Sequence, residues 1–461
     1  MPTETTVGFV LMLDSSYSMY DAISQVVIDA KAFVRQALPN DQFGVNQFND
    51  TGTWVYPTGS SPTIVTVGPS LTETAQAAQA IQSSVVPAGG YTNLGAAIQL
   101  GNALIAQANT VGKGFVILSD GQWNTGPDPA TVLGSTPPIY VAGLGPYLSQ
   151  QMFQPLLSKN PNSKFYSQPN AYQMMQIFND IRAVPPDVAL TANALGSYSG
   201  SDYTLTPSTI AGDSDEAQFT VVWSDARCQY TSGYPSGYQV NVVLIDPSGR
   251  TSSATPTITG DGYCIFNLDG VQPGTWNTLV QYSVPQPVYG TMGGFQLDTQ
   301  VNMEVAAPTM QAAGEPLRFT AQVTDEGQPV EGLTVRSHLT RPLLSVENAL
   351  RTYADEMRTV RPDEAMLEQG ASEDIARLAA LRAARADQGD ILATTQAFAI
   401  GEPDGDGGYA FEHADTHQAG PYSVRLHVTG VNPATGKSFS RTTSFSTLVG
   451  SAEDADAAAT A

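Results

Sequence analysis

The chain has 461 residues, 43 acidic against 20 basic side chains, a formal net charge of −23 and 41% hydrophobic residues. An acidic surface of this kind argues against nucleic acid or anionic membrane as the main partner, and no run of about 18 apolar residues is present to span a bilayer. The length predicts about three domains, and the charge is uneven between them: residues 1–186 hold 10 acids and 6 bases, the remainder 33 and 14.

The first apolar run, VGFVLML from Val7, reads as a strand covered on both faces. It ends in Asp14, Ser16 and Ser18. From Asp21 onward apolar residues recur at Ile23, Val27, Ala30 and Val34, the helical spacing. The oxygen-bearing side chains therefore fall on a strand-to-helix turn, at the strand end where open α/β sheets bind ligands. Ser and Asp are also the usual helix N-caps, and this stretch alone does not separate the two readings. DQFGVNQF, GFVILS and PIYVAGL follow as strands, LGAAIQLGNALIAQAN and AYQMMQIFNDIRAV as helices. The alternation, running to about Val184, predicts a doubly wound sheet with helices on both faces. Within it Thr92 sits in a Gly-rich turn before a helix, and Asp120 directly follows an apolar strand. The last helix carries Met174, Phe178 and Ile181 on one stripe, with Asn170 placed to cap it, and Pro185, Pro186 and Asp187 end it.

From Val188 the text changes to short alternating stretches, EAQFTVVWS, YQVNVVLIDPSG, GYCIFNL and WNTLVQYSV, separated by turn residues, the pattern of a β-sandwich. A second β series, LRFTAQVTDEGQPVEGLTVRSHL, resumes at GGYAFEH and GPYSVRLHVTG after a helical interruption at about 345–388. There Val346, Leu350, Tyr353 and Met357 form one stripe and Ile375, Leu378 and Leu381 another, which predicts a helical hairpin packed on its own sandwich. The expected domains are 1–186, 187–300 and 301–449, with a disordered acidic tail at 450–461. Cys228 and Cys264 both lie in strand-like text; reduced thiols suit a cytosolic chain and one disulfide an exported one.

The D-x-S-x-S turn, the Gly-preceded Thr92 and the strand-terminal Asp120, in this order, resemble the metal-ion-dependent adhesion site of von Willebrand factor A domains. The resemblance covers about 185 residues and implies a Rossmann-like α/β fold. It implies too that Asp14, Ser16, Ser18, Thr92 and Asp120 hold a divalent ion, Mg²⁺ or else Mn²⁺ or Ca²⁺. Tyr17 stands where many members have Gly, at a free position of the motif. The donor chemistry agrees, since oxygen-only ligands select a hard cation. The resemblance further implies an open coordination position, filled by a Glu or Asp carboxylate from a protein partner. Downstream, AQFTVVWS, VVLIDPSGR and VQPGTWNTLV are similar to the β-sandwich that follows the A domain in calcium-activated chloride channel regulators and their bacterial relatives. The final stretch DGDGGYAFEHADTHQAGPYSVRLHVTG looks like an immunoglobulin-like or fibronectin-like unit.

Other candidate sites fall away. The four histidines include no H-E-x-x-H; His413 and His417 lie in strand-and-turn text, which does not align them for zinc. Asp404 and Asp406 lack the third ligand of a calcium loop, NPATGKSF misses the phosphate-loop spacing, and no G-x-S-x-G elbow occurs. The sequence thus predicts a non-enzymatic, metal-dependent protein-binding or adhesion-type protein. The rival is an intracellular scaffold whose A domain docks onto a partner such as an AAA+ ATPase. No basic leader or cleavage site precedes the first strand, so a cytoplasmic place is expected of the chain as written, and an extracellular or cell-surface one only with a signal trimmed from it.

Overall fold

A computed structural model describes residues 6–450 except 21, 60, 87–89, 111, 121–122, 134–136, 145–149, 161, 169–173, 185–187, 214–215, 298, 365–366, 368–371, 386–390, 392 and 405–406. The expected cap Asn170, the linker at 185–187, Asp406 and the tail from 451 lie outside the described residues.

The first unit runs β1 (Val7–Asp14), α1 (Ile23–Arg35), β2 (Gln42–Phe48), β3 (Gly52–Tyr56), β4 (Val65–Thr66), α2 (Thr72–Ser84), α3 (Leu94–Ile105), β5 (Gly112–Ser119), α4 (Pro129–Val132), β6 (Ile139–Leu144), α5 (Gln150–Leu157), β7 (Lys164–Gln168) and α6 (Met174–Arg182). The sheet order is β3-β2-β1-β5-β6-β7, with β4 beside β2. Strands β2, β1, β5, β6 and β7 are parallel to one another, while β3 and β4 pair with β2 antiparallel. Because side chains alternate along a strand, Phe9, Leu11 and Leu13 enter one core with α1, α2 and α6, while Val10 and Met12 enter the other with α3 and α5. This two-sided burial is why β1 reads as an unbroken apolar run. The chain order reverses at β1, with β2 on one side and β5 on the other, so the crevice of this sheet opens where Asp14 and Asp120 lie.

The second region comprises β8 (Val188–Ile210), β9 (Glu216–Trp223), β10 (Gln229–Tyr230), β11 (Gln239–Ile245), β12 (Ile258–Gly260), β13 (Tyr263–Leu268) and β14 (Gly274–Leu297). It departs from a set of short strands. Strands β8 and β14 pair with each other over nearly their whole lengths, and β14 shifts register between Val284 and Val288. Before that break β14 pairs β11, and after it β9. One sheet is thereby folded into two leaves, whose inner faces share a core of Trp223, Phe219, Val242, Phe266, Trp276 and Tyr282. Cys228 and Cys264 lie in that core as free, buried thiols, and burial pushes the Cys228 thiol up to about 11.

The third region comprises β15 (Val301–Ala306), β16 (Met310–Ala312), β17 (Leu317–Asp325), β18 (Gln328–Pro329), β19 (Thr334–Pro342), α7 (Val346–Thr352), α8 (Ala354–Met357), α9 (Glu373–Ala384), β20 (Thr394–Ile400), β21 (Glu402–Pro403), β22 (Gly408–His413), β23 (Gly420–Val431) and β24 (Ser438–Gly450). Two five-stranded sheets, one containing β15-β17-β22-β21 and the other β16-β24-β23-β19-β20, enclose a core with Phe319, Phe411, Leu339, Tyr422 and Phe445. The helices between β19 and β20 do not use that core. Ala349, Met357, Leu378, Leu381 and Ile391 form a small core of their own, so the two apolar stripes meet each other instead of the sheets.

Helix α6 shows the largest local departure from the sequence reading. All nine of its residues are buried, including Gln176, Asn179, Asp180 and Arg182. The face opposite the apolar stripe is covered by the other two regions. Asn193 of β8 exchanges hydrogen bonds with Gln176 and accepts one from Asn179 at 3.1 Å. Arg425 of β23 donates to the Asn193 carbonyl at 2.6 Å and stands 3.9 Å from Asp180. Ser444 of β24 donates to Asp180, and Gln36, just past α1, bridges Asn179 and Thr220 of β9.

Candidate metal centre

The site is built from three segments at the carboxyl ends of β1 and β5. Strand β1 ends at Asp14, which is fully buried, and the chain turns at once because the Ser15 N–H donates to the Phe48 carbonyl at 2.9 Å. The Ser16 N–H donates to Asp14 Oδ1 at 2.9 Å, the Asx geometry that closes such turns. The Ser16 and Ser18 hydroxyls lie 3.1 Å apart. The capping reading fails for Ser16: it stands at the N-cap of the short helical turn Tyr17–Met19 but makes no capping hydrogen bond, and α1 begins only at Ile23.

Parallel pairing of Leu13 with Leu118 sets Ser119 beside Asp14. The Ser119 hydroxyl donates to Asp14 Oδ2 at 2.5 Å. Asp120 comes next, half-buried, and hydrogen-bonds with Ser18. The third segment is the turn into α3. Its Gly90 carbonyl accepts from the Tyr17 N–H at 3.4 Å, which ties it to the first segment. Thr92 and Asn124 bond reciprocally, Thr92 N–H to Asn124 Oδ1 at 2.9 Å and Asn124 N–H to the Thr92 carbonyl at 3.1 Å, which ties it to the loop after β5. Asn93 caps α3 through the Ala96 N–H at 3.0 Å. Gly126 is required there: its φ is 82°, and a Cβ would fall 1.9 Å from Asn93 Oδ1.

The electrostatics follow from burial. Desolvation raises the Asp14 carboxyl to about 6, against the opposing hydrogen bonds from Ser119 and Ser16. Desolvation, then the charge of Asp14, raises Asp120 to about 7. Among the described residues no lysine, arginine or histidine forms an ion pair with either, and no group of three or more His, Cys, Asp and Glu occurs. The donor set is two carboxylates with surrounding hydroxyls, which fits a hard cation and not zinc-type sulfur or imidazole coordination.

Of the five residues the sequence singles out, Asp14, Ser16, Ser18 and Asp120 are joined by these contacts, and Thr92 is placed by its neighbours. Ser119 and Asn124 were not singled out. A polar residue ending the strand adjacent to β1 is the signal that finds the first; the reciprocal bond to Thr92 leaves no signal in the text.

Residues 9–122 match the family model of the von Willebrand factor type A domain, a span that contains all five residues. The amino-terminal unit is therefore a von Willebrand factor type A domain. No curated protein matches the chain. Among solved structures it is similar to a von Willebrand factor type A protein from Catenulispora acidiphila (12% identity, 70% of this chain and 63% of that one, TM-score 0.35). It is also similar to proximal thread matrix protein 1 of the mussel byssus with a zinc-occupied MIDAS motif (15%, 42% and 50%, TM-score 0.33). A third is the pilus adhesin SpaC of Lactobacillus rhamnosus GG (11%, 97% and 57%, TM-score 0.32). The chain spans one half to under two thirds of the length of these three.

Proposed function

We propose that this is a non-enzymatic binding protein whose amino-terminal domain recognises an acidic group on a protein partner through a divalent cation. The observation that carries the reading is the Asp14–Asp120 pair: two neighbouring carboxylates, one fully and one partly buried, each raised, with hydroxyl and amide partners but no cationic side chain among the described residues. Asp14, Ser16, Ser18, Thr92 and Asp120 would hold Mg²⁺, or Mn²⁺ or Ca²⁺. The bound ion would supply the charge that keeps both carboxyls ionised, and a Lewis-acidic position for a partner's Glu or Asp. With two protein carboxylates on a dication the site has little surplus negative charge with which to repel that ligand. The following β regions act as sandwich units of immunoglobulin or fibronectin kind that hold the domain in position.

The test is calorimetric titration of the full chain with Mg²⁺ and Mn²⁺, beside Asp14→Ala, with circular dichroism as the control for folding. Saturable binding that Asp14→Ala abolishes is expected. Equal binding by the variant would remove the site assignment. A pull-down in Mg²⁺ against EDTA then reads the partner.

A further inference from the structure

The sheet β16-β24-β23-β19-β20 differs in charge from the rest of the chain. Its strands contain Arg336, Arg341, Arg425, Arg441, His338 and His427, and not one Asp or Glu, in a protein whose acids outnumber its bases by more than two to one. Three of the arginines are engaged: Arg341 with Asp415, Arg425 with Asp180, and Arg441 with Thr299 and the Val301 carbonyl. Arg336 is exposed and has no ion pair among the described residues.

Strand β20 ends this sheet, bonded among the described residues to β19 alone. The Gly401 N–H donates to the Val335 carbonyl. Antiparallel alternation from that rung turns the N–H and C=O groups of Thr394, Gln396 and Phe398 away from β19, to the open edge. The chain leaves the edge only after Gly401, where Glu402 and Pro403 pair with β22. The strand, TTQAFAI, has no charge and no proline, the usual guards of an edge. Phe398 and Ile400 are 65% and 71% exposed on its outer face. Phe398 stands edge-on to His338 at 4.7 Å, and Ile400 lies across from Arg336. An edge whose backbone groups have no partner among the described residues, with apolar side chains on alternate residues and the exposed Arg336 one strand further in on the same face, is suited to an added strand.

We propose that the β20 edge binds an extended segment of another polypeptide, one with apolar residues at alternate positions and a Glu or Asp toward Arg336. A second copy of this chain is the weaker occupant, since two bodies of net charge −23 repel. This site is independent of the metal centre.

The test uses the full chain and an array of ten-residue alternating Val/polar peptides whose polar positions are Glu, Gln or Lys, read by fluorescence anisotropy in EDTA. Glu peptides should bind more tightly than Lys peptides, and alternate N-methylation of the same peptide should abolish binding. Gln396→Pro removes an outward N–H without breaking a β19 rung, so it should weaken binding at least tenfold while circular dichroism stays native. Arg336→Glu should reverse the Glu-over-Lys preference. Failure of every peptide to bind the wild-type chain, or undiminished binding by both Gln396→Pro and Phe398→Lys, overturns the proposal. So does a dimer in sedimentation that Phe398→Lys dissociates, which would assign the edge to a second copy.

Discussion

Two of the places where this molecule buries carboxylates treat them differently. At the α6 junction Asp180 is raised by desolvation, but Arg425, Ser444, Asn193 and Lys164 all pull the other way, so its charge is met from within the chain. At the end of β1, Asp14 is raised by burial and Asp120 by burial and the charge of Asp14, and only hydroxyls and backbone amides answer. The difference separates a structural acid from one whose charge still needs a partner. An acid built for stability brings its cation with it; under the proposed function, this pair takes its cation from solution.

Breaking the junction should have the largest effect. Arg425→Met leaves Asp180 buried without its ion-pair partner, a change that costs roughly 3–5 kcal/mol, measured by urea denaturation of the full chain. The corresponding change at the other place should act oppositely. Asp14→Asn removes a repelled charge, so in EDTA stability should hold or rise by about 1 kcal/mol, while Mg²⁺ no longer raises the melting temperature. If Asp14→Asn destabilises the metal-free chain as much as Arg425→Met does, the contrast is wrong.

The pH dependence sharpens it further. Carboxyls raised to about 6 and about 7 bind protons in the folded state that the unfolded chain, titrating near 4, has released. Their contribution to stability is therefore present below pH 4 and lost as pH rises through 6 to 7. In EDTA this pair should lower the melting temperature across that window, and Asp14→Asn should flatten the slope; saturating Mg²⁺ should stabilise more at pH 8 than at pH 5. The smallest effect is expected at Asp29, a buried acid of α1 held well above the usual range by burial and hydrogen-bonded by Gln25 at 2.9 Å. A lone buried acid disfavoured as a carboxylate tolerates its neutral amide, so Asp29→Asn should change stability by less than about 1 kcal/mol, read from the denaturation midpoint.

How legible each part was depends on how far away its partners lie. Asp14 and Asp120 could be read because each follows an apolar strand directly, and strand plus acid is a local signal. The polar face of α6 could not, because Asn193, Arg425 and Ser444 come from later segments of the chain, and a helix with one apolar stripe reads as amphipathic whatever covers its other side. The long strands β8 and β14 were hidden for another reason. Pro207 interrupts the text of β8, and Pro285 and Pro287 that of β14, yet β8 is an edge strand and the two β14 prolines fall in the register break between Val284 and Val288, where a missing N–H costs no rung. Strand β20 lies between the expected helices and GGYAFEH, where the sequence predicts no strand, since its largest apolar residues point outward and resemble no buried pattern.

The folded sheet of the second region has a consequence for cooperativity. Each leaf is completed by one half of β8 and one half of β14, and the same two strands run unbroken from one leaf into the other. Neither leaf has a boundary at which it could detach, and opening either one exposes the core both share. The two leaves should therefore melt in a single calorimetric step, and two resolved transitions for this region would refute the coupling.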